Sequence, residues 1–323
     1  MPDPSYAALR AAIDDLAAHT DGRAVAAASA RLTESYGGEQ CQHVRSDTDA
    51  AAYAVVRLPA THAATVAALG EIARLDPAFA PETLLDLCAG SGAGAWAAAG
   101  LWPTLRDAAL VDADERMLRV GAELRSGWPA SVTCRAHVAD VTAYRPDHDA
   151  DLTIAGYVLN ELPPDVRAEV VLRAWAATTG ALVIVEPGTP TGFEVVRAAR
   201  KLLIGAGAHL LAPCPHARAC PMSGGDWCHF ATRVQRSSAH RQAKSGALGH
   251  EDEKFSYVAV TRRDADRAAA RVLRHPVRPP RRVELRVCAP DGVRRLRIGK
   301  SRDGYRAARD LGWGDGVPPD LLA

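Results

Sequence analysis

No run of about 18 or more apolar residues occurs in the chain, because its alanine-rich stretches are regularly broken by Arg, Asp and Gly. No membrane-spanning helix is therefore expected. The opening residues, MPDPSYAALR, carry neither a basic segment nor an apolar one of the secretory kind. They predict no signal peptide and a cytosolic location. In that compartment disulfides are rare, so the seven cysteines read as ligands, catalysts or core residues. Internal repeats are also missing. What remains is ordinary for a soluble globular chain: 48% hydrophobic and 24% charged over 323 residues, enough for two domains or one large domain with additions.

The net charge of +1 conceals an asymmetry. Residues 1–200 hold 16 Lys and Arg against 26 Asp and Glu, whereas residues 201–323 hold 23 against 12. An acidic body thus carries a basic C-terminal part, a distribution that suits a polyanionic partner. The cations are nearly all arginine, whose planar fork matches phosphate. A merely solvated basic face is the plain alternative.

Three regions follow one another. Residues 1–81 predict a helical N-terminal module, with apolar residues at helical spacing in YAALRAAIDDLAAH, GRAVAAASARLTESY and ATHAATVAALGEIARL. Residues 82–207 alternate strand and helix, with strands over 83–88, 108–114, 131–140, 150–158 and 180–188. That pitch predicts an α/β fold with a parallel, doubly wound sheet. Residues 208–323 predict a cysteine-rich, basic extension that includes the last sheet strands: one over 253–263, a short helix, a linker HPVRPPRR, and a hairpin over 283–301 turning at Pro-Asp-Gly. The string Glu251-Asp252-Glu253-Lys254 reads as a local charge network.

The first strand runs into a glycine-rich turn, LLDLCAGSGAG, with Asp86 followed by Gly90, Gly92 and Gly94. Such a turn at the carboxyl end of a sheet lets backbone approach a ligand closely. A dinucleotide fingerprint read from Gly90 fails, since Ala95 stands where a third glycine belongs; read from Gly92 it is met by Ala97, so the motif alone is weak. The turn resembles motif I of the class I S-adenosylmethionine (SAM)-dependent methyltransferases, with Cys88 as a small packing residue at the first glycine position. The resemblance, over roughly residues 82–205, implies that Asp112 holds the ribose hydroxyls and Asp140 contacts the adenine amino group. Strand four ends in GYVLNELP, matching that family's motif IV region. The base-amine motif [DNS]-P-P-[YF] is absent, so Asn160 and Glu161 are the weak catalytic candidates, with helix capping by Asn160 as the plain reading. Pro213-Cys214 superficially resembles a pyrimidine-methylation nucleophile but falls after strand five, outside the usual catalytic loop.

The stretch APCPHARACPMSGGDWCHF gathers Cys214, Cys220 and Cys228, with Cys288 just before the Pro-Asp-Gly turn. Cys41, Cys88 and Cys134 read as core residues. Thiolates select zinc or iron–sulfur, and the C-x2–4-C pairs of zinc knuckles are lacking. Wide spacing and Cys-Pro steps lean toward a cubane, but spacing alone leaves the metal open. His216 and His229 are alternative ligands or loop residues.

This stretch, together with R-x2-R, EDEKFSYV, YAVVRLPATHAA and CAPDG, is similar to a methyltransferase-like family associated with the small ribosomal subunit in bacteria and mitochondria. The resemblance covers most of the chain. It implies a [4Fe-4S] cluster on Cys214, Cys220, Cys228 and Cys288, with zinc as the alternative, and action on or binding to 16S-type ribosomal RNA of the small subunit. The charge split agrees, with Arg233, Arg236, Arg241 and Lys244 in one basic stretch and Arg294, Arg295, Arg297 and Lys300 in another. These are the RNA-contact candidates. The expected protein is a monomer acting as a SAM-dependent rRNA methyltransferase or methyltransferase-like factor in ribosome assembly. A non-catalytic SAM- and rRNA-binding assembly factor, or a small-molecule methyltransferase, are the other readings.

Overall fold

The computed structural model describes residues 4–35, 44–244 and 248–322; Cys41 lies outside them. Four helices open the chain: α1 (Pro4–Ala18), α2 (Gly22–Ser35), α3 (Asp47–Val56) and α4 (Leu58–Leu75). Helix α3 was not foreseen, because DTDAAAYAVV is buried along most of its length and shows no amphipathic pattern. Its start is set by Ser46, whose hydroxyl accepts the N–H of Asp49. Pro59 in the first turn of α4 costs nothing there, since that N–H would have no helical partner.

Five parallel strands follow: β1 (Thr83–Leu87), β2 (Asp107–Asp112), β3 (Thr133–Val138), β4 (Ala150–Gly156) and β5 (Thr178–Pro187), in the spatial order β3-β2-β1-β4-β5. Helices α5 (Ala93–Leu101), α6 (Glu115–Leu124), α7 (Pro164–Ala176) and α8 (Pro190–Gly205) follow β1, β2, β4 and β5. Period-two alternation splits the strands between two cores. Leu84, Leu152, Ile154, Val183 and Val185 pack with α4 and α5. Leu85, Leu87, Leu182 and Ile184 pack with α7 and α8. Helix α4 is thus a layer on the main sheet.

The sheet is mixed rather than wholly parallel. Three further strands join it, β6 (His209–Ala212), β7 (Phe230–Gln235) and β8 (His250–Thr261): β8 runs antiparallel to β5, and β6 and β7 run antiparallel to β8. Strand β8 pairs with β5 on one edge; on the other it is shared end to end by β6 and β7. Ala212 pairs with Ala259 and Phe230 with Phe255, so the cysteine-rich residues 213–229 leave and rejoin nearly the same place on β8. The basic residues after Cys228 form β7 and a short helix α9 (Ser238–Lys244).

A second sheet takes the order β11-β10-β9-β12. It comprises β9 (Ala270–Val272), β10 (Arg282–Ala289), β11 (Gly292–Gly299) and β12 (Gly316–Val317), with α10 (Tyr305–Asp310) against it. The expected hairpin is β10–β11, turning at Pro290-Asp291 with Gly292 at φ 127°. The short helix expected before the linker is absent: β9 lies there, held by β10 and β12.

Candidate functional site

Strand β1 ends in a turn where Cys88, Gly90 and Gly92 all have positive φ, at 55°, 54° and 94°. The glycines adopt this freely; for Cys88 it is strain of about 1–3 kcal/mol. Gly92 caps α5. Asp112, the last residue of β2, closes the turn from the side: its Oδ2 accepts the N–H of Gly90 at 2.8 Å and its Oδ1 that of Asp114 at 2.9 Å. Burial raises its pKa against the pull of those backbone donors. Asp86 is enclosed between β1 and α5, where its Oδ2 accepts the N–H of Ala95 at 3.0 Å. Burial pushes its carboxyl up to about 7. Asp140 is exposed after β3, and hydrogen bonds from Thr142, led by its backbone N–H at 2.8 Å, pull its pKa down. These acids converge. The Cys88 thiol is pushed up by burial first, then by Asp112, Glu161, Asp86 and Asp140, so it is a packing residue with acids around it.

Asn160 does not cap α7. The N-cap is Pro163, with no side-chain hydrogen bond, and the Asn160 Oδ1 is buried without a partner among the described residues. Glu161 is exposed. Two features of this end of the sheet escaped sequence reasoning. Glu186, fully buried near the end of β5, accepts the N–H of Leu159 at 2.7 Å, and burial pushes its carboxyl up to about 8. Its signal was a lone acid in the apolar run VIVEP. Tyr157, with φ 59°, donates its hydroxyl to Glu253 at 3.0 Å, and Arg57 reaches the same oxygen at 3.3 Å. No local pattern could have joined residues so far apart in the chain.

The four cysteines of the C-terminal part line one pocket, of about 580 Å³ of atom-free space partly open to solvent, with Phe193, Arg200, His216 and Arg271. Cys214 stands just after β6, Cys228 just before β7 and Cys288 within β10, so strands of both sheets fix three of them. All four are free thiols. Burial pushes the Cys228 thiol well up, with Cys214, Cys220 and Cys288 adding to it, and pushes Cys288 to about 12. Among the described residues no three His, Cys, Asp or Glu side chains are gathered closely enough to hold one metal ion. What the structure shows is a four-thiol pocket, not an assembled single-ion site. His216 approaches Cys288, its Nε2 4.0 Å from Sγ. His229 is elsewhere: it stacks on Trp227 and meets Trp313 edge-on, and does not line the pocket.

The basic candidates divide. Arg236 and Lys244 both bind Glu251, at 2.7 and 3.0 Å, and Arg233 forks onto Asp252 at 2.9 and 3.2 Å. The acidic string expected as a charge network therefore neutralises much of the first basic stretch. Arg241 is exposed on α9. Arg294 pairs with Asp291 at 3.2 Å. Arg295, Arg297 and Lys300 are exposed on or just after β11, with Arg297 only loosely near Glu284 at 3.9 Å.

Five parallel strands followed by antiparallel β8, with a glycine turn after β1 and an acid ending β2, define a class I methyltransferase-like protein. The profile of the family described as "Mitochondrial small ribosomal subunit Rsm22" matches residues 47–318, and the chain belongs to that family. It is 31% identical over 288 residues to the human ribosome assembly protein METTL17, mitochondrial, covering 82% of this chain and 62% of that one. It is 24% identical over 335 residues to the Rsm22-cox11 tandem protein 2, mitochondrial, of Schizosaccharomyces pombe, covering 87% of this chain and 44% of that one. The chain thus spans less than two thirds of these curated relatives. Both are mitochondrial by name, in contrast to the cytosolic location expected above. Solved structures similar to it include an O-methyltransferase family protein from Burkholderia thailandensis (14% identity, 68% of this chain, 61% of that one, TM-score 0.44). Another is the SAM-bound magnesium protoporphyrin IX methyltransferase of Synechocystis (11% identity, 69% and 86%, TM-score 0.42). No helix among the described residues is long and apolar enough to cross a membrane.

Proposed function

We propose that this chain binds SAM at the β1–β2 turn and serves assembly of the small ribosomal subunit by docking on its RNA. The observation that carries the reading is the left-handed glycine turn after β1, closed from the side by Asp112 at the end of β2. Carboxylates beside such a turn favour a sulfonium cation. Gly90 and Gly92 would admit its backbone-hugging parts, Asp112 would accept from the ribose hydroxyls and Asp140 from the adenine amino group. Asp86 would act through α5, by holding its first turn. When bound, SAM supplies an electrophilic methyl group.

The four cysteines would hold a [4Fe-4S] cluster. The donor set is all thiol, and a cubane takes its ligands at four separate irons, which suits thiols that share a pocket without closing on one point. Zinc would need them gathered tetrahedrally around a single ion. Occupied, the site would join the loop 213–229 to β10 and contribute to folding of the C-terminal part. Arg241, Arg295, Arg297 and Lys300 are the cations best placed to meet phosphate, being exposed. The relatives' names favour a mitochondrial small subunit as partner; a bacterial one fits the same chemistry.

A non-catalytic role is the second reading, favoured by one observation. The Tyr157 hydroxyl is committed to Glu253 and the Asn160 oxygen is buried, leaving Glu161 as the exposed ionisable group of Asn160-Glu161-Leu162-Pro163. Incubation with methyl-labelled SAM and immature small subunits tests both readings. Label in small-subunit RNA supports transfer, and binding of SAM and subunit without label supports the non-catalytic factor. Failure to bind SAM, measured by calorimetry, overturns the proposal.

A further inference from the structure

Two guanidinium groups are buried against the four-thiol pocket. Arg200 of α8 is 5% exposed and Arg271 of β9 is 1% exposed, and both line it. The charge of Arg271 is matched by Glu71, and its Nε and Nη1 also reach the carbonyls of Pro213 and Gly314, each at 2.8 Å. Arg200 has no carboxylate partner among the described residues. Its Nη2 donates only to the carbonyls of His216 and Arg218, at 2.6 and 2.9 Å, within the cysteine loop. Enclosing a guanidinium without an anion is costly unless something in the same cavity carries the opposite charge.

The unmet hydrogen bonds point the same way. Arg200 Nε, Arg271 Nη2 and His216 Nδ1 are all buried without a partner among the described residues, and all three side chains line the pocket. Neutral thiols are weak acceptors, whereas thiolates and inorganic sulfides accept strongly. Arg200 lines the pocket together with Cys214, and the carbonyls it binds belong to the same loop, two and four residues after that cysteine.

We propose that Arg200 is the counter-cation of the anionic group held by the four cysteines, donating to its sulfur atoms and stabilising the bound cluster, above all its reduced state. This rests on the cluster reading above. Four thiolates around a [4Fe-4S]2+ core leave the assembly with two negative charges, and one-electron reduction adds a third with no proton or bond change. A fixed positive charge in a cavity of low polarity favours the more negative state and so raises the reduction potential. Arg200 is a positioning and charge-balancing residue here, not a ligand.

The experiment uses full-length protein purified without oxygen, with iron content and the broad absorption near 400 nm read first. Wild type without iron overturns the cluster reading, and this proposal with it. With iron bound, Arg200→Met and Arg200→Lys are compared with wild type in two assays. These are mediated titration with dithionite, followed by electron paramagnetic resonance, and iron release to a chelator. Arg200→Met is expected to move the midpoint to lower potential and to release iron faster, by about the 10–100-fold typical of lost outer-shell partners. Arg200→Lys keeps the charge but not the fork, and is expected to keep most of the potential while releasing iron faster. Unchanged potential and unchanged release in Arg200→Met overturn the proposal. Should that variant fail to fold by circular dichroism, Arg200→Lys decides, and iron release at the wild-type rate overturns it.

Discussion

The carboxylate of Asp86 lies directly against the α-carbon of Gly94: a methyl group on that glycine would stand 2.7 Å from both carboxylate oxygens. The same carboxylate accepts the N–H of Ala95, so the first turn of α5 is clamped to β1 by an acid with no room to retreat. Gly94→Ala is expected to destabilise the chain by about 1–3 kcal/mol, as overpacking does, and to weaken SAM binding by displacing the turn. Gly70→Ala in α4, where an added methyl meets nothing within 4 Å, is expected to leave stability equal or higher by about 0.5–1 kcal/mol. Denaturant unfolding of both variants, with calorimetric SAM titration, checks the contrast. A Gly94→Ala protein as stable as wild type would show that the clamp yields.

Glu186 and Asp86 give the protein a pH dependence of unusual sign. Burial raises Glu186 from 4.5 to about 8 and Asp86 from 3.8 to about 7. The folded state therefore favours their protonated forms. Their effect on stability is most favourable below the ordinary carboxylate range and declines as pH rises toward about 7 and 8, where the fold must hold buried anions. Glu71, Asp151 and Glu251 are shifted down and act oppositely, contributing above the usual range and losing that contribution in acid. The melting temperature of wild type is expected to fall between about pH 5 and pH 8. Glu186→Gln, which cannot titrate, is expected to show a shallower fall. Parallel slopes for the two proteins would remove Glu186 as the cause.

The β1 turn and Asp112 were legible in sequence because each is local: a glycine run after an apolar strand, and an acid at the end of the next. The first five strands were legible for the same reason. The mixed sheet was not, since nothing in HLLA or FATRVQ says that both lie along one edge of β8. That register also decides the fate of the arginines. Arg233 stands opposite Asp252, and Val234 opposite Glu251, so a stretch that reads as basic is paired across strands with one that reads as acidic. The grouping of thiols was legible from the cysteine stretch itself, whereas the choice of a cluster over zinc came only through resemblance. The pocket's buried cations, Arg200 and Arg271, come from α8 and β9, far outside the cysteine-bearing loop.

The cysteine loop is held by ion pairs as well as by whatever its thiols bind. Asp226 receives Arg274 on one oxygen and Arg286 on the other, tying the loop to the second sheet. All three side chains are partly exposed, so solvent screening limits each pair to about 1 kcal/mol or less. Asp226→Ala is expected to keep its iron while residues 213–229 become easier to cleave by protease. Cys228→Ser is expected to lose iron and loosen the same loop, with SAM binding intact. Iron assay and limited proteolysis separate the two, and a Cys228→Ser protein with full iron content would remove that cysteine from the ligand set.

If exposure decides which arginines meet RNA, then Arg295 and Arg297 on the outer face of β11 and the half-buried Arg236 just after β7 should fail in different ways. Arg236 has its partner already, Glu251 at 2.7 Å, inside a cluster with Lys244 and the buried His240. Removing it strands an acid among fewer cations, so Arg236→Ala is expected to cost about 1–3 kcal/mol of stability. Its effect on the salt dependence of small-subunit binding should be slight. Arg295 and Arg297 face solvent, and replacing both by glutamate is expected to leave the melting temperature nearly unchanged. If each neutralises one phosphate, the double variant lowers the slope of log affinity against log salt by about 0.7–0.9 per residue. Binding to isolated small subunits, titrated at several salt concentrations alongside thermal denaturation, reads both quantities on each variant. An unchanged slope in Arg295→Glu/Arg297→Glu would move the RNA-facing surface off the β10–β11 hairpin.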